Sequence, residues 1–459
     1  MGITEELANF VAEATYESLP DAVVKEAKRT LLEAVANAVL GSRTRLGKSI
    51  AGVLTQVEEE PQAMFIGTGD RRSIKTAAFY NTAITDCNDA VGGYWKGVVH
   101  PGKNVVPASL TVASAKERSG KDLILAMILG IECYLRIDLL MAVSLAARGQ
   151  YDDGVVGTLG SAIAIGKLLG LDKDNLQGAI GNAAILTPCS IGGPSYFRSA
   201  ARPLTMGQSS SNAILAVLTQ QAGIRGPSEI LECEGGFIQA MSDDTNLSRI
   251  TEDLGKVWEC LYLYKKPFVG CRLTHSTREA AQVLKKGHNI NADDIEAVTV
   301  KLPKSCLIVT SHHPGVGANI VQHSCSGPYL HANVLMYDDI GPGCLTEERM
   351  NDPKVHELAD RIEIIEDPEA TKLAMTGFEF MYRGNIEIVM KGGEKYSHTA
   401  EHVKWDPFEG LAATDTELED KLRTYAAGIL RPEKPEAIIK TIAKLEELDN
   451  TAELMNLLA

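Results

Sequence analysis

The sequence predicts a mainly α-helical protein with a smaller α+β part. Up to about residue 265, apolar residues recur with the 3.6-residue period of helices, in segments rich in Ala, Gly and Ser. Near Tyr264 the pattern changes to short segments in which apolar and polar residues alternate, as they do in strands. Both patterns together favour a large all-helical domain with a smaller α+β lid domain inserted into it.

The helical part begins with a segment that opens at Pro20 and Asp21 and runs to about Leu40. Further helices are predicted over 74–90, 106–118, 121–146, 155–169, 174–186, 205–222 and 227–240. Gly170 and Gly223 follow two of these segments, where a glycine commonly ends a helix. Since small side chains let helices approach closely, we expect a compact bundle with several fully buried helices.

Alternating segments predict a sheet in the second part of the chain. The predicted strands cover 295–302, 361–365 and 385–391, with a turn at Gly392 and Gly393 and a return strand through Tyr396. Helical patterns resume over 415–430 and 433–447. We therefore expect the all-helical domain to comprise residues 1–264 plus 405–459 and the lid to comprise residues 265–404.

The net charge of the chain limits the classes of molecule that it is expected to bind. The 459 residues include 45 Lys or Arg and 60 Asp or Glu, which gives a formal net charge of −15. Such a chain repels polyanions and anionic lipid on average, so neither nucleic acid nor a membrane is an expected partner. A small anionic substrate remains compatible with this charge if a local basic pocket binds it.

Cysteine usage and hydropathy predict the compartment. None of the nine cysteines forms a CxxC pair, which indicates reduced thiols rather than a disulfide framework. The first ten residues lack the apolar core of a signal peptide, and no apolar run approaches the roughly 20 residues that cross a bilayer. We therefore expect a cytoplasmic protein.

The segment 86–104, at the end of the predicted helix 74–90 and in the loop that follows, carries two carboxylates and a histidine. Asp86 and Asp89 precede His100, and glycines and prolines shape the chain around them. A histidine beside a carboxylate has the components of a general acid/base pair. In the alternative interpretation, the aspartates cap helices and His100 binds a backbone carbonyl.

Basic side chains recur in connections rich in Gly, Pro and Ser. They are Arg148, Arg198, Arg202, Lys265, Lys266 and Arg272. The guanidinium of arginine binds a carboxylate through two parallel hydrogen bonds. Each of these residues taken alone is equally typical of a solvated surface.

The segment 265–275 lies where the two predicted domains meet, which is a common place for a ligand site. Cys271 and His275 have the chemistry of a nucleophile and a base. A buried structural cysteine is the commoner arrangement, and we favour it for Cys271.

Neither a metal nor a nucleotide cofactor is predicted. His312 and His313 are adjacent and would point apart on a helix, and HExxH and zinc-spaced Cys/His pairs are absent from the sequence. Gly154, Gly157 and Gly160 fit neither GxGxxG nor a P-loop, so we interpret them as sites of close helix packing.

Five segments, taken together and in order, resemble the MmgE/PrpD family, which includes 2-methylcitrate dehydratase, cis-aconitate decarboxylase and iminodisuccinate epimerase. They carry the patterns DxxD…HP…VxPA, VVGTLGSAIAIGKLLGL, RPLTMGQ, KPFVGCRLTH and SGPYLHA, and they lie within 86–107, 154–171, 202–237, 266–280 and 326–332. Each pattern is weak alone, but the five cover most of the chain.

The resemblance implies a helical domain with an inserted α+β lid, a homodimer, and a site between the domains that binds di- or tricarboxylates without metal or cofactor. Asp86 and His100 match the acid/base residues of the family's first loop. Lys266 matches its lysine at the domain boundary, His275 the histidine of the KPxxxCRxxH segment, and Tyr329 the tyrosine of SxPY.

Two positions depart from the family pattern. Tyr151 and Asp152 stand where dehydratase-like and decarboxylase-like members have His–Pro, and Arg202 stands where the family has lysine. An arginine stays protonated, so it can hold a carboxylate but cannot act as a base. A tyrosine acts as an acid or base only if neighbours such as Arg148 or Arg202 lower its pKa.

The chemistry implied is removal of a proton next to a carboxylate, with fixed cations stabilising the charge of the transition state. We predict that His100, oriented by Asp86, is the general acid/base and that Tyr151 is a second proton carrier on the opposite face. Lys266 and His275 complete the predicted catalytic residues. The predicted substrate-binding residues are Arg202, Arg272, Tyr329, Lys103 and Arg148.

The favoured reaction is dehydration of a citrate-like hydroxy acid by a hydro-lyase. The alternatives are an epimerase of an imino- or amino-dicarboxylate, a decarboxylase of a cis-aconitate-like acid, and an inactive family member that serves in binding or assembly. The retained polar residues of the site favour an enzyme. We expect the loop cations Lys103, Arg148, Arg198, Arg202, Lys266 and Arg272 to converge on the cleft.

Overall fold

A computed structural model describes residues 2–188, 190–193 and 198–459. It is mainly α-helical with one α+β part, which confirms the predicted fold class. The helices before the lid are α1 (Ile3–Glu13), α2 (Asp21–Arg43), α3 (Arg45–Leu54), α4 (Ile74–Asp86), α5 (Pro101–Ala115), α6 (Gly120–Ala147), α7 (Asp152–Leu168), α8 (Lys173–Leu186), α9 (Arg202–Gln221), α10 (Phe237–Met241) and α11 (Ser248–Thr251). A short hairpin pairs β1 (Ala63–Met64) with β2 (Arg71–Arg72).

Helix boundaries follow the predicted ones with two corrections. Helix α5 begins at Pro101, because a proline fits the first turn, where its missing N–H is not needed. The helix predicted over 227–240 is mostly turn, and only α10 remains of it, since Gly235 adopts a left-handed φ of 71° that breaks the helix. The predicted helix-ending residues Gly170 and Gly223 do have left-handed φ angles.

Small residues bring the central helices together. A Cβ on Gly130 of α6 would lie 2.6 Å from the carbonyl oxygen of Gly160 in α7. A Cβ on Gly157 would lie 2.7 Å from Asn104 Nδ2 in α5. The glycines of the GVVGTLG segment therefore permit close helix packing, as the sequence indicated, and α7 is buried along almost its whole length.

The α+β part is a four-stranded sheet in the order β4-β3-β5-β6. Its strands are β3 (Ile295–Leu302), β4 (Ile362–Glu366), β5 (Gly384–Met390) and β6 (Lys395–Ala400), with β3 parallel to β4 and the other neighbours antiparallel. Around it lie α12 (His275–His288), α13 (Lys304–Thr310), α14 (Ile320–Cys325), α15 (Gly327–Tyr337), α16 (Glu347–Met350), α17 (Pro353–Ala359) and α18 (Pro368–Ala374). The alternating segments thus form the predicted strands, shifted by one residue at most.

The last helices pack against the first ones. They are α19 (Asp415–Ala426), α20 (Lys434–Ala443) and α21 (Ala452–Leu457). Helix α19 lies along α2, where Lys421 Nζ and Glu33 Oε1 form a buried ion pair of 2.8 Å. The domain limits 1–264 plus 405–459 and 265–404 stay a prediction, although the C-terminal helices do lie on the helical part.

Two general features bear on the expected compartment. In the described parts of the chain, none of the helices combines the length and the apolar character needed to cross a membrane. The cysteines that the structure describes are free thiols, and most are buried.

Gly120 lies where α6 meets the C-terminal segment, and its replacement tests that contact. A Cβ on Gly120 would overlap the carbonyl oxygen of Leu445. We expect Gly120→Ala to lower the melting temperature by several degrees, because overpacking typically costs about 1–3 kcal/mol. Gly52→Ala is the control: nothing lies within 4 Å of its Cβ on α3, so it should keep or raise stability. Equal melting temperatures for Gly120→Ala and wild type would contradict this packing.

Candidate active site

A cavity of about 640 Å³ opens between the helical part and the lid. Ser305 and Tyr382 line it from the lid side. Its polar lining includes Asp89, His100, Tyr151, Asp152, Arg202, Tyr264, Lys266 and Arg272. A cavity of this size between two structural parts is a common form of ligand site.

Three long helices begin at this cavity. His100 is the residue before α5, Tyr151 the residue before α7, and Arg202 the first residue of α9. The N-terminus of a helix carries a partial positive charge and free N–H groups, so three of them together favour an anionic ligand. The fold thus brings distant sequence segments to one place by starting helices there.

His100 forms a pair with Asp153. Its Nδ1 lies 2.9 Å from Asp153 Oδ2, and its backbone N–H donates to Asp153 Oδ1 at 2.6 Å. Because a carboxylate only accepts hydrogen bonds, Nδ1 carries the hydrogen and Nε2 presents a lone pair. The hydroxyl of Tyr264 lies 3.4 Å from that Nε2. His100 is therefore arranged as a base whose reactive nitrogen is not the one bound to the carboxylate.

Asp153 is a fixed acceptor. Besides the two bonds from His100, it accepts hydrogen bonds from the hydroxyls of Tyr134 and Tyr151, each at 2.7 Å. Burial alone would raise its pKa, but His100 and Lys103 hold the pKa of Asp153 below its ordinary value. Burial and the charge of Lys103 lower the pKa of His100, although Asp153 opposes this. At neutral pH the pair is thus a carboxylate and a neutral imidazole.

The prediction that Asp86 orients His100 is corrected by this geometry. Asp86, at the end of α4, is buried and pairs with Lys103 Nζ at 2.8 Å and with Arg202 Nε at 2.9 Å. Sequence analysis missed Asp153 because 53 residues separate it from His100, and no local spacing marks such a pair. The one available signal was the acidic pair Asp152 and Asp153, which overlaps the position of the family's His–Pro at Tyr151 and Asp152.

Buried charges of both signs cluster beside the cavity. Asp89 Oδ1 lies 2.9 Å from both Lys103 Nζ and Lys266 Nζ, and its other oxygen lies 3.9 Å from Arg202. Burial would raise the pKa of Asp89, but Lys103, Lys266 and Arg202 hold it well below its ordinary value. With Asp86 and the ionised Asp153, three carboxylates face three cations, so the cluster is balanced in charge inside an acidic protein.

Arg272 also lines this cavity. It forms an ion pair with Asp406, and its guanidinium lies 3.6 Å from the ring centre of Tyr264 and 4.4 Å from that of Tyr382. Among the described residues, its Nε and Nη1 have no partner in hydrogen-bonding geometry, and both atoms are buried. Arg272 therefore contributes positive charge to the wall of the cavity.

Asp152 differs sharply from its neighbour Asp153. It lines the cavity with 4% of its surface exposed, and burial together with the charge of Asp153 raises its pKa to about 8. Asp138, buried behind it, also has a raised pKa, because of burial and the charge of Asp152. Asp152 therefore keeps its proton near neutral pH and is a candidate acid that sequence analysis missed.

Three predicted site residues lie away from the cavity. His275 is buried at the start of α12, with Nε2 3.1 Å from the carbonyl oxygen of Gly270. Tyr329 donates its hydroxyl hydrogen to the carbonyl oxygen of Cys344 at 2.5 Å. Arg148 is exposed and binds the carbonyl oxygen of Met241. Their motif positions or their charge singled them out, but the structure gives them packing or surface contacts.

The other predicted cations divide as follows. Arg202, Lys266 and Arg272 line the cavity, and Lys103 lies directly behind Asp89. Arg198 is outside the lining, as is Arg148.

Cys271 lines the cavity, but burial raises the pKa of its thiol, which fits the structural interpretation rather than a nucleophile. Within the described ranges, no group of three or more His, Cys, Asp or Glu side chains has an arrangement that could hold a metal ion.

Comparison with known proteins gives matches along nearly the whole chain. The model of the MmgE/PrpD N-terminal domain matches residues 5–250, and that of the MmgE/PrpD C-terminal domain matches residues 268–447. Similar relatives are cis-aconitate decarboxylases. That of Mus musculus is 25% identical over 478 residues (99% of this chain, 93% of the relative), and that of Homo sapiens is 26% identical over 471 residues (99% and 94%). That of Aspergillus terreus is 23% identical over 484 residues (100% and 96%).

The His100–Asp153 pair predicts a defined tautomer. In the wild-type protein, ¹⁵N NMR of histidine-labelled protein should show His100 protonated on Nδ1. Asp153→Asn should shift the proton to Nε2, because an amide can donate to Nδ1. Asp86→Asn is the control and should leave the His100 tautomer unchanged. A tautomer change caused by Asp86→Asn but not by Asp153→Asn would restore Asp86 as the orienting residue.

Proposed function

Because this chain belongs to the MmgE/PrpD family, we propose that it is a lyase that removes a proton next to a carboxylate of a small di- or tricarboxylate and expels water. One observation carries the proposal: the His100–Asp153 pair faces the same cavity as the cations Lys266, Arg202 and Arg272. A base and a positive site in one enclosed space are the two requirements for forming a carbanion next to a carboxylate.

Substrate binding begins at the cations. The guanidinium of Arg272, whose Nη2 is bound to Asp406, lines the cavity and attracts one carboxylate of the substrate by its charge. Lys266 and Arg202 also line the cavity and attract a second carboxylate by their charge, since their donors are engaged with Asp89 and Asp86. Since both sites are buried, their attraction for the developing charge is stronger than it would be in water.

Proton removal then falls to His100. Its neutral Nε2 takes the proton from the carbon next to the bound carboxylate, and the electron pair delocalises onto the carboxylate oxygens. The imidazolium that forms is stabilised by Asp153, which is already ionised and held by four hydrogen bonds. The hydroxyl of Tyr264 is placed near Nε2 and helps to orient the ring.

Loss of water needs an acid. As the carbon–carbon double bond forms, the carbon–oxygen bond breaks and the leaving hydroxide takes a proton from Asp152. Asp152 is favoured because it still carries that proton near neutral pH. Tyr151, the carrier expected from the sequence, also lines the cavity, but its hydroxyl hydrogen is engaged with Asp153. Its role in the proposed reaction is to hold the Asp153 carboxylate in place through this hydrogen bond.

Decarboxylation of a cis-aconitate-like acid is the second candidate, and the names of the matched relatives favour it. There the bond to a carboxyl carbon breaks, carbon dioxide leaves, and an acid such as Asp152 protonates the carbanion. The same cations would stabilise that carbanion. Arg202 and Tyr151 depart from the pattern of dehydratase-like and decarboxylase-like members alike, so they do not distinguish the two reactions.

Proton NMR in deuterium oxide separates these reactions. Citrate, 2-methylcitrate, cis-aconitate and iminodisuccinate are incubated with the protein. A new alkene signal from a hydroxy acid supports the proposed dehydration. Release of carbon dioxide identifies the decarboxylase, and deuterium uptake without an alkene identifies an epimerase. No change in any substrate would contradict the enzyme assignment.

Replacement of His100 tests the base. We expect His100→Gln to lower kcat by about 10²–10⁴-fold, since an amide cannot accept the proton. His402→Gln, at an exposed position of the lid segment, is the matched control and should turn over like the wild type. Turnover of His100→Gln at the wild-type rate would show that another group is the base.

The raised pKa of Asp152 predicts that both the reaction rate and the stability of the protein depend on pH. The wild-type rate should fall as pH rises through about 8, where Asp152 loses its proton, and Asp152→Asn should be slower by about 10²-fold and lack that limb. In the unfolded chain the carboxyl ionises near 3.8, so wild-type stability declines between these two pH values. The melting temperature of Asp152→Asn, relative to wild type, should therefore rise over that range.

Asp243→Asn is the control for this pH experiment, because the Asp243 side chain is 79% exposed on the surface. Its rate and melting profiles should follow those of the wild type. A wild-type alkaline limb that persists in Asp152→Asn would assign that limb to a different group.

We also propose that the protein is a homodimer in the cytoplasm. The family resemblance supports the dimer, and the buried free thiols support a reducing compartment. Small di- or tricarboxylates are the only partners that the scheme requires.

A further inference from the structure

The cavity has an apolar half in addition to its polar wall. Ala142, Val143 and Ala146 of α6 line it from the helical side, and Ile308, Val309 and Met375 line it from the lid side. None of these side chains can donate or accept a hydrogen bond. The two halves belong to one continuous space, so a single ligand can touch both.

Several of these apolar side chains are strongly exposed. The exposed fraction is 69% for Val143, 55% for Ile308 and 82% for Met375. Scattered exposed apolar residues are ordinary, but three that line one cavity from two sides form a shared apolar surface. Such a surface beside a polar site is typical of a position where apolar ligand atoms are bound.

A small polyacid cannot use this half of the cavity. The total volume of about 640 Å³ equals about 20 water molecules at roughly 30 Å³ each, and the charged groups of a small di- or tricarboxylate are drawn to the cations. The side chains of Val143, Ile308 and Met375 offer a carboxylate no hydrogen-bond donor, so a charged group gains nothing from them. An alkyl chain in the same place would lose only unfavourable contact with water.

We propose that the natural substrate is a di- or tricarboxylate that carries an apolar chain of several carbons, which lies between α6 and the lid residues Ile308 and Met375. This inference rests on the proposed function, since it places the carboxylate head at Arg272 and Lys266. It adds the substrate class: an alkyl-substituted acid rather than a bare polyacid.

The proposal predicts a dependence on chain length. Citrate and its 2-methyl, 2-butyl and 2-hexyl homologues are compared by kcat/KM and by calorimetric Kd. We expect binding to tighten by up to about fourfold for each methylene that the cavity buries. Turnover of citrate with no gain along the series would overturn the chain-binding inference and leave the lyase intact. No binding or turnover of any member would overturn both.

Variants of the apolar half provide the second measurement. Val143→Asn and Met375→Gln should each reduce the ratio of kcat/KM for the hexyl to that for the methyl substrate. Val53→Asn is the matched control, because Val53 is 64% exposed on α3 and does not line the cavity, and it should keep the wild-type ratio. An unchanged ratio in both cavity variants would overturn the inference. So would a reduced ratio that appears only with a changed mass in light scattering, since a second copy would then cover this surface.

Discussion

The site depends on a buried cluster of charges around Lys103. This lysine lies between Asp86 at the end of α4 and Asp89 beyond it, while Arg202 and Lys266 approach the same carboxylates from α9 and from the start of the lid. Removing one member would leave a buried charge unpaired, which typically costs about 3–5 kcal/mol. Such a cluster adds little net stability over an apolar core. It does fix how three helices, α4, α5 and α9, meet the lid segment.

Beside this cluster, two adjacent aspartates have opposite protonation states. Asp153 is surrounded by donors and is held as a carboxylate, while Asp152 faces the cavity beside that charge and keeps its proton. Neighbouring carboxyl groups whose environments separate their pKa values are a recurrent way to obtain a base and an acid from one residue type. Tyr151 and Asp152, which depart from the His–Pro of the family pattern, both line the cavity.

Sequence patterns predicted the fold well, because helix and strand periods are local. The strand 295–302 was found to the residue, and the helix that failed, 227–240, was interrupted by Gly235. The site was predicted in part. Lys266, Arg202, Arg272, Tyr151 and His100 line one cavity. His275 and Tyr329 belong to family motifs, yet they bind backbone carbonyls inside the lid, since a motif includes the residues that shape a site. Asp153 could not be found, because its role depends on the approach of two helices far apart in the chain.

The acidic exterior has a consequence for the encounter with the substrate. The net charge of −15 repels an anion approaching from solution, and the cations that attract it are buried at the cavity. At 0.15 M ionic strength that repulsion decays within about 8 Å, so added salt removes the barrier outside while the buried ion pairs are screened far less. Association with a charged substrate should then become faster as salt rises, the reverse of electrostatic steering. An apolar chain could contact the exposed apolar side chains of the cavity before the carboxylates reach the cations. A bare polyacid cannot make that contact.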